Sequence, residues 1–171
     1  MAQKALFISL TDLKRKSIID GNTDGDKLIQ FIEVAQDIHI QNYLGGKLYK
    51  KLQDLVISGD INLVSNEKYK TLVDTYIKPM LVWYTQASYL PFAMYQISNG
   101  GVFKHRSENS ETITIEEMHS MLNRIQDTAE FYARRFVDYM GFYGQNFPEY
   151  NQTTNGEMYP DKDVNFHSWV L

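Results

Sequence analysis

DKLIQFIEVAQDIHIQNYLGG, residues Asp26 to Gly46, carries the clearest helical period in the chain. Leu28, Phe31, Ile32, Ala35 and Ile38 fall at i, i+3, i+4, i+7 and i+10, which places them on one face of a helix. Gly45 and Gly46 stop that helix, as glycine commonly does just past a helix end. A shorter helix follows at once, with Leu48, Leu52, Leu55 and Val56 inward, and breaks at Ser58–Asp60.

Immediately upstream, DGNTDGDK (Asp20–Lys27) opens like an EF-hand loop, with Asp20, Asn22 and Asp24 alternating before Gly25. The loop then fails. Its twelfth position, which needs a bidentate glutamate, is Phe31, and Glu33 comes two residues late. Lys27 stands at the usually apolar eighth position. The alternative has its own mechanism: Asp and Asn favour turns by bonding nearby amides. Asp24 or Asp26 then caps the helix that begins at Lys27.

Outward from this core the same period recurs. Thr11 reads as the N-cap of a short first helix through Ile18. A longer helix opens near Ser65 or Asn66 and carries Tyr69, Leu72, Val73, Tyr76, Ile77, Met80, Leu81 and Tyr84. Pro79 and Pro91 within it predict kinks or a break. Met80–Ile97 is the most apolar window, but Thr85, Gln86, Ser88, Pro91 and Gln96 make it a buried core helix rather than a membrane span. Ser98–Gly101 ends the element, and a polar loop starts at Val102 and Phe103. Thr114 and Glu117 form a capping box for the last long helix, which carries Met118, Met121, Leu122, Ile125, Ala129, Tyr132, Phe136 and Met140. Gly141 closes it. The expected fold is all-α: a compact bundle of four to five helices in residues 1–141, then an extended, non-helical, aromatic tail in 142–171.

Composition excludes several functions. With 171 residues, 43% hydrophobic and 22% charged, the chain suits one globular domain. Its net charge of -4, without a long basic run, argues against tight or sequence-specific DNA binding. It has no cysteine, hence no disulfide, thiolate metal site or cysteine nucleophile. No secretory signal is visible. Glu116 and His119 make one E-x-x-H pair, but a di-iron bundle needs two, plus two more carboxylates. The four histidines form no H-x-x-x-H, and neither a nucleophile elbow nor a phosphate loop occurs. No enzyme activity, cofactor or metal is expected.

The tail is the most informative part. Seven of the 31 residues from Gly141 to Leu171 are aromatic: Phe142, Tyr143, Phe147, Tyr150, Tyr159, Phe166 and Trp169. Disordered segments are poor in aromatics, so this one folds onto something. Two surfaces are open to it, its own domain or a partner, where Phe, Tyr and Trp act as anchors.

The helical segments resemble the head–tail connector (adaptor) proteins of tailed bacteriophages, in a branch found in phages and prophages of Bacteroides-like hosts. The resemblance rests on DKLIQFIEVAQDIHIQNYLGGKLYKKL, YIKPMLVWYTQASYLPF, ISNGGVFKHRSENSETITIEE and LNRIQDTAEFYARRFVDYM, in that order, and spans Ala5 to Tyr150. It implies a structural virion protein of the neck region, assembled in the host cytoplasm as a homo-oligomeric, twelvefold ring under the portal. Such a ring extends the channel through which genomic DNA slides without sequence-specific binding. It also presents a platform for the next neck or tail protein, and needs no membrane. On this reading Val102, Phe103, Lys104, His105 and Arg106 reach across to a neighbouring subunit. The tail, with Phe142, Tyr143, Phe147, Tyr150, Tyr159, Phe166, Trp169 and Leu171, docks on the portal or the next ring. The rival classes are a small helical metal-binding protein or enzyme, built on Asp20–Asp26 or Glu116 and His119, and a helical interaction domain of no viral origin.

Overall fold

The computed structural model describes residues 4–19, 21–93, 95–98, 101–104, 113–152 and 158–163; for 95–98 and 101–104 the backbone alone is described. The architecture is the expected all-α bundle. Its helices are α1 (Leu10–Lys16), α2 (Gly25–Ala35), α3 (Gln41–Ser58), α4 (Glu67–Thr71), α5 (Lys78–Ala93), α6 (Ile115–Tyr143) and α7 (Pro148–Asn151). Helix α5 is central, packed against both α6 and α2. Its Met80, Leu81, Val82 and Tyr84 are buried, as are Ala129, Ala133, Phe136 and Met140 of α6. No helix among the described residues is long and apolar enough to cross a membrane.

Two wide π turns join helices that the sequence period runs together. Gln36–Ile40 links α2 to α3, and Leu72–Ile77 links α4 to α5. A π turn adds a residue to the helical repeat and rotates everything after it. The periodicity from Leu28 therefore holds through Ala35 and then slips: Ile40 and Gln36 are buried, and Ile38 is exposed. Gln36 earns its place in the core by its hydrogen bonds. It accepts from Phe7 N at 2.9 Å, and its amide donates to the Ala5 carbonyl and the Tyr49 hydroxyl. Gln53 brackets the same Ala5 peptide, accepting from Ala5 N at 2.7 Å and donating to its carbonyl at 2.8 Å. These two glutamines hold the N-terminal segment as a strand partner would, satisfying its backbone without a sheet.

Several local expectations change. The cap of α1 is Ser9, whose hydroxyl accepts from Asp12 N, rather than Thr11. Gly45 interrupts α3 without ending it, and the helix resumes to a left-handed cap at Gly59. Pro79 stands in the first turn of α5, directly after the second π turn, and Pro91 in its last turn. The capping box at Thr114 and Glu117 is present.

The core helix expected to run to Ile97 ends at Ala93, and a two-stranded antiparallel hairpin follows: β1 (Tyr95–Ser98) takes the end of the expected helix and β2 (Gly101–Lys104) the start of the expected polar loop, with Tyr95 opposite Lys104 and Ser98 opposite Gly101. Val102, Phe103 and Lys104 are thus strand residues. The sequence signal was Asn99-Gly100, the dipeptide favoured in two-residue hairpin loops, between β-formers Tyr95, Ile97, Val102 and Phe103. At the C-terminal end Gly141 does not close α6, which runs two residues further to Tyr143.

Candidate functional site

The expected tail divides into parts with different environments. Phe142 and Tyr143 end α6 and are exposed, Phe142 at 78%. A 3-10 turn, Gly144–Asn146, then folds the chain back into α7. Phe147 at 0% exposure and Tyr150 at 4% belong to the main core, which corrects their assignment as partner anchors. Phe147 meets Tyr69 edge-on at 5.5 Å, and Tyr150 meets Phe136 edge-on at 6.4 Å. Tyr69 donates to the Glu149 carboxylate, and Lys68 donates to the Asn146 carbonyl at 2.6 Å. Burial pushes the Tyr69 phenol up to about 12, helped by its bond to Glu149. Burial likewise lifts Tyr150 to about 12, with the Asp161 charge adding to it. Tyr159 is 68% exposed. Phe166, Trp169 and Leu171 lie outside the described residues, as do His105 and Arg106.

Met158–Asp163 returns to the bundle as a strap, and its seat is the break in α3. Gly45 adopts φ 72°, ψ 164°, a region that residues with a Cβ essentially do not enter. In an unbroken helix the Gly46 N–H would donate to the Asn42 carbonyl. Here both groups turn to the strap. Gly46 N donates to the Met158 carbonyl at 2.8 Å, and Asp161 N donates to the Asn42 carbonyl at 2.8 Å. The Asn42 amide adds a bond to the Asp161 carboxylate at 3.3 Å. Pro160 lies so close that a Cβ on Gly45 would fall 2.8 Å from its Cδ. The strap continues with Lys162 over the Tyr150 ring at 5.4 Å.

Beside the strap is a cleft of about 310 Å³ whose lining includes His39, Tyr43, Tyr84, Gln126, Glu130 and Asp161. The His39 ring stacks on Tyr84, with centroids 3.8 Å apart and planes 7° from parallel. Tyr43 and Tyr84 share a hydrogen bond, and burial is the main reason both phenols sit above their ordinary range. These shifts run away from neutrality. At neutral pH both phenols are neutral and offer hydrogen-bonding hydroxyls and ring faces to the cleft.

A family model described as a family of unknown function (DUF6712) matches residues 40–159. The chain belongs to DUF6712. No curated protein and no solved structure matches it. In this DUF6712 protein the matched span begins in the first π turn, takes in the Gly45 break, the hairpin and α6, and ends within the strap.

The remaining sequence candidates have structural roles. Asp24 caps α2, accepting from Asp26 N at 3.0 Å. The carbonyls of Gly21 and Thr23 receive the Lys14 ammonium at 2.6 and 2.8 Å, so a side-chain cation already sits on this turn; Asp20 is outside the described residues. Glu116 and His119 are exposed in the first turns of α6. Among the described residues, no three His, Asp or Glu side chains gather as metal ligands would. Sequence reading missed Asn42, Met158, Pro160 and Asp161. Glycine pairs read as helix stops, and nothing in the sequence links Gly45 to a proline 115 positions later.

Proposed function

We propose that this protein is a structural subunit of a phage neck: a ring-forming connector that joins the capsid portal to the tail and extends the DNA channel. The resemblance of its helices, order and loops to head–tail connectors gives the class. The observation that carries the reading is the hairpin. It emerges between α5 and α6 and leans on α5. A lone two-stranded hairpin is marginal in water, and each of its strands has one edge without a partner within the sheet. Pairing across a subunit boundary satisfies those backbone groups, and β-augmentation is a common way to do so.

The exposed aromatics suit the same role. Phe92, three residues before β1, is half exposed and packs on Phe31 at 5.5 Å, giving the hairpin an apolar base. Phe131 and Phe142 lie eleven residues apart on α6, about three turns, and both face solvent. The docking part of the tail narrows to the exposed Phe142, Tyr143 and Tyr159 and to the segment carrying Phe166, Trp169 and Leu171. Phe147 and Tyr150 serve the fold.

Native mass spectrometry of the chain alone and mixed with the portal protein encoded in the same genome tests the reading. A discrete ring, alone or on the portal, is expected. Monomer under both conditions refutes it. Connector subunits can wait for the portal before closing, so both conditions are needed.

A further inference from the structure

The break in α3 is a peptide seat, and its occupant arrives from the end of the chain. Three features define what it accepts. It needs a carbonyl and, three residues later, an N–H, the places filled by Met158 and Asp161. It needs a residue between them flat enough to lie on the Gly45 backbone, the place filled by Pro160. It favours a carboxylate for the Asn42 amide, the place filled by Asp161. The motif Met-Tyr-Pro-Asp occurs once in this sequence.

The strap is held by its main chain and by Pro160 rather than by a buried side-chain anchor. Met158 is 48% exposed and Tyr159 68%. Segments with few buried apolar contacts open locally at low cost while the rest of the fold stays intact. The seat, by contrast, is built into the domain: Tyr43, Leu44 and Gly45 are buried, and Gly45 keeps the break open. A second copy of the chain presents the same strap and the same seat. Exchange between copies therefore re-forms the same strap–seat contacts at the cost of association, which is why identical elements swap readily.

We infer that the Gly45 break is an exchange site, at which the Met158–Asp161 strap of one copy seats in a second copy in place of that copy's own strap. The geometry limits the arrangement. Six residues separate Asn151, the end of α7, from Met158. Such a linker reaches at most roughly 25 Å when extended. The exchanging seat must lie within that distance of the donor's α7. Exchange in a closed dimer satisfies the inference as well as exchange around a ring, so its failure would leave the connector reading standing.

The chain has no cysteine, so introduced pairs report cleanly. Copies carrying Asn42→Cys alone and Asp161→Cys alone are mixed, oxidised and run on a non-reducing gel. A mixed disulfide dimer that grows with protein concentration is expected, with no such product when Asp127→Cys, exposed on α6, replaces Asn42→Cys. The double variant in one chain is expected to give closed monomer when dilute and covalent oligomers when concentrated. Closed monomer alone at every concentration, with no mixed dimer, overturns the inference. Should either substitution unfold the chain, unmodified protein serves instead. Isotope-filtered NMR on a mixture of labelled and unlabelled copies should show the Gly46 amide of one copy near Met158 of the other. Finding that contact only within a copy overturns it equally.

Discussion

Gly45→Ala strikes the fold where local geometry and tertiary contact meet. Two costs add. The first is backbone strain: φ 72°, ψ 164° is essentially closed to alanine and costs about 1–3 kcal/mol. The second is steric. The new methyl group would lie 2.8 Å from Pro160 Cδ, 2.9 Å from Pro160 N and 3.1 Å from the Met158 carbonyl oxygen. Two of these atoms are backbone, so the strap must leave. It takes with it the bonds from Gly46 N and to the Asn42 carbonyl, each worth about 0.5–1.5 kcal/mol net. The sum is about 4 kcal/mol, a large part of the 5–15 kcal/mol typical of a domain. It lowers Tm by about 10 °C at this chain length. Two other glycines calibrate the effect. Gly59 has φ 80° but open space around it, so Gly59→Ala carries strain alone, about 1 kcal/mol. Gly141 sits inside α6 with no positive φ and no neighbour near its Cβ, so Gly141→Ala stabilises by up to about 1 kcal/mol. Urea unfolding of all three, with amide exchange at Gly46 as the local readout, gives the order. If Gly45→Ala costs no more than Gly59→Ala, or leaves Gly46 protected, the account of the strap is wrong.

Other outcomes follow from the core and the surface. Phe147→Ala should lose about 3–5 kcal/mol in urea melts, whereas Phe142→Ala should stay within about 0.5 kcal/mol, because one ring is buried and the other exposed. Comparable costs would return Phe147 to the docking tail. Gln36→Leu should cost about 1–3 kcal/mol by stranding the buried Phe7 N–H, while the Ala5 carbonyl keeps its bond from Gln53, read as a drop in Tm. Lys14→Met should destabilise by about 1–2 kcal/mol through the Gly21 and Thr23 carbonyls, and calcium should leave the Tm of the unmodified protein unchanged. A calcium-dependent rise would revive the metal-binding reading. Stability should also respond to alkali. Tyr49, Tyr69 and Tyr150 have folded pKa values raised from 10.0 to about 12. Their contribution is complete below pH 10 and is lost as pH rises from there to about 12. Tyr150→Phe removes one of these groups, so its stability should fall less steeply than wild type across that window. Parallel curves would contradict the burial argument.

The helical character of this chain was written in its period. Leu28, Ile32 and Ala35, then Leu48, Leu52 and Leu55, then Ile125, Ala129, Phe136 and Met140, recur at helical steps and are buried. Local chemistry also placed the turn at Asp24 and the capping box at Thr114. These features depend on residues within a turn or two of each other, which is the range over which sequence patterns carry information. The hairpin was missed although its signal is local: Asn99-Gly100 read as a helix end followed by a loop, not as a turn between two strands. The other failures came where distant segments decide. Gln36 is buried as a polar residue because its amide serves the N-terminal backbone at Ala5 and Phe7, and within the π turn that starts there Ile38 is exposed. Phe147 and Tyr150 looked like partner anchors because composition cannot distinguish an aromatic that meets a neighbour from one that meets Tyr69 or Phe136 across the same domain. Gly45 read as a stop because its pattern names a conformation, not an occupant. The sequence determined that the helix must break there. Only the tertiary structure, by bringing Pro160 onto a backbone with no Cβ, decided that the break would be filled and the helix resume.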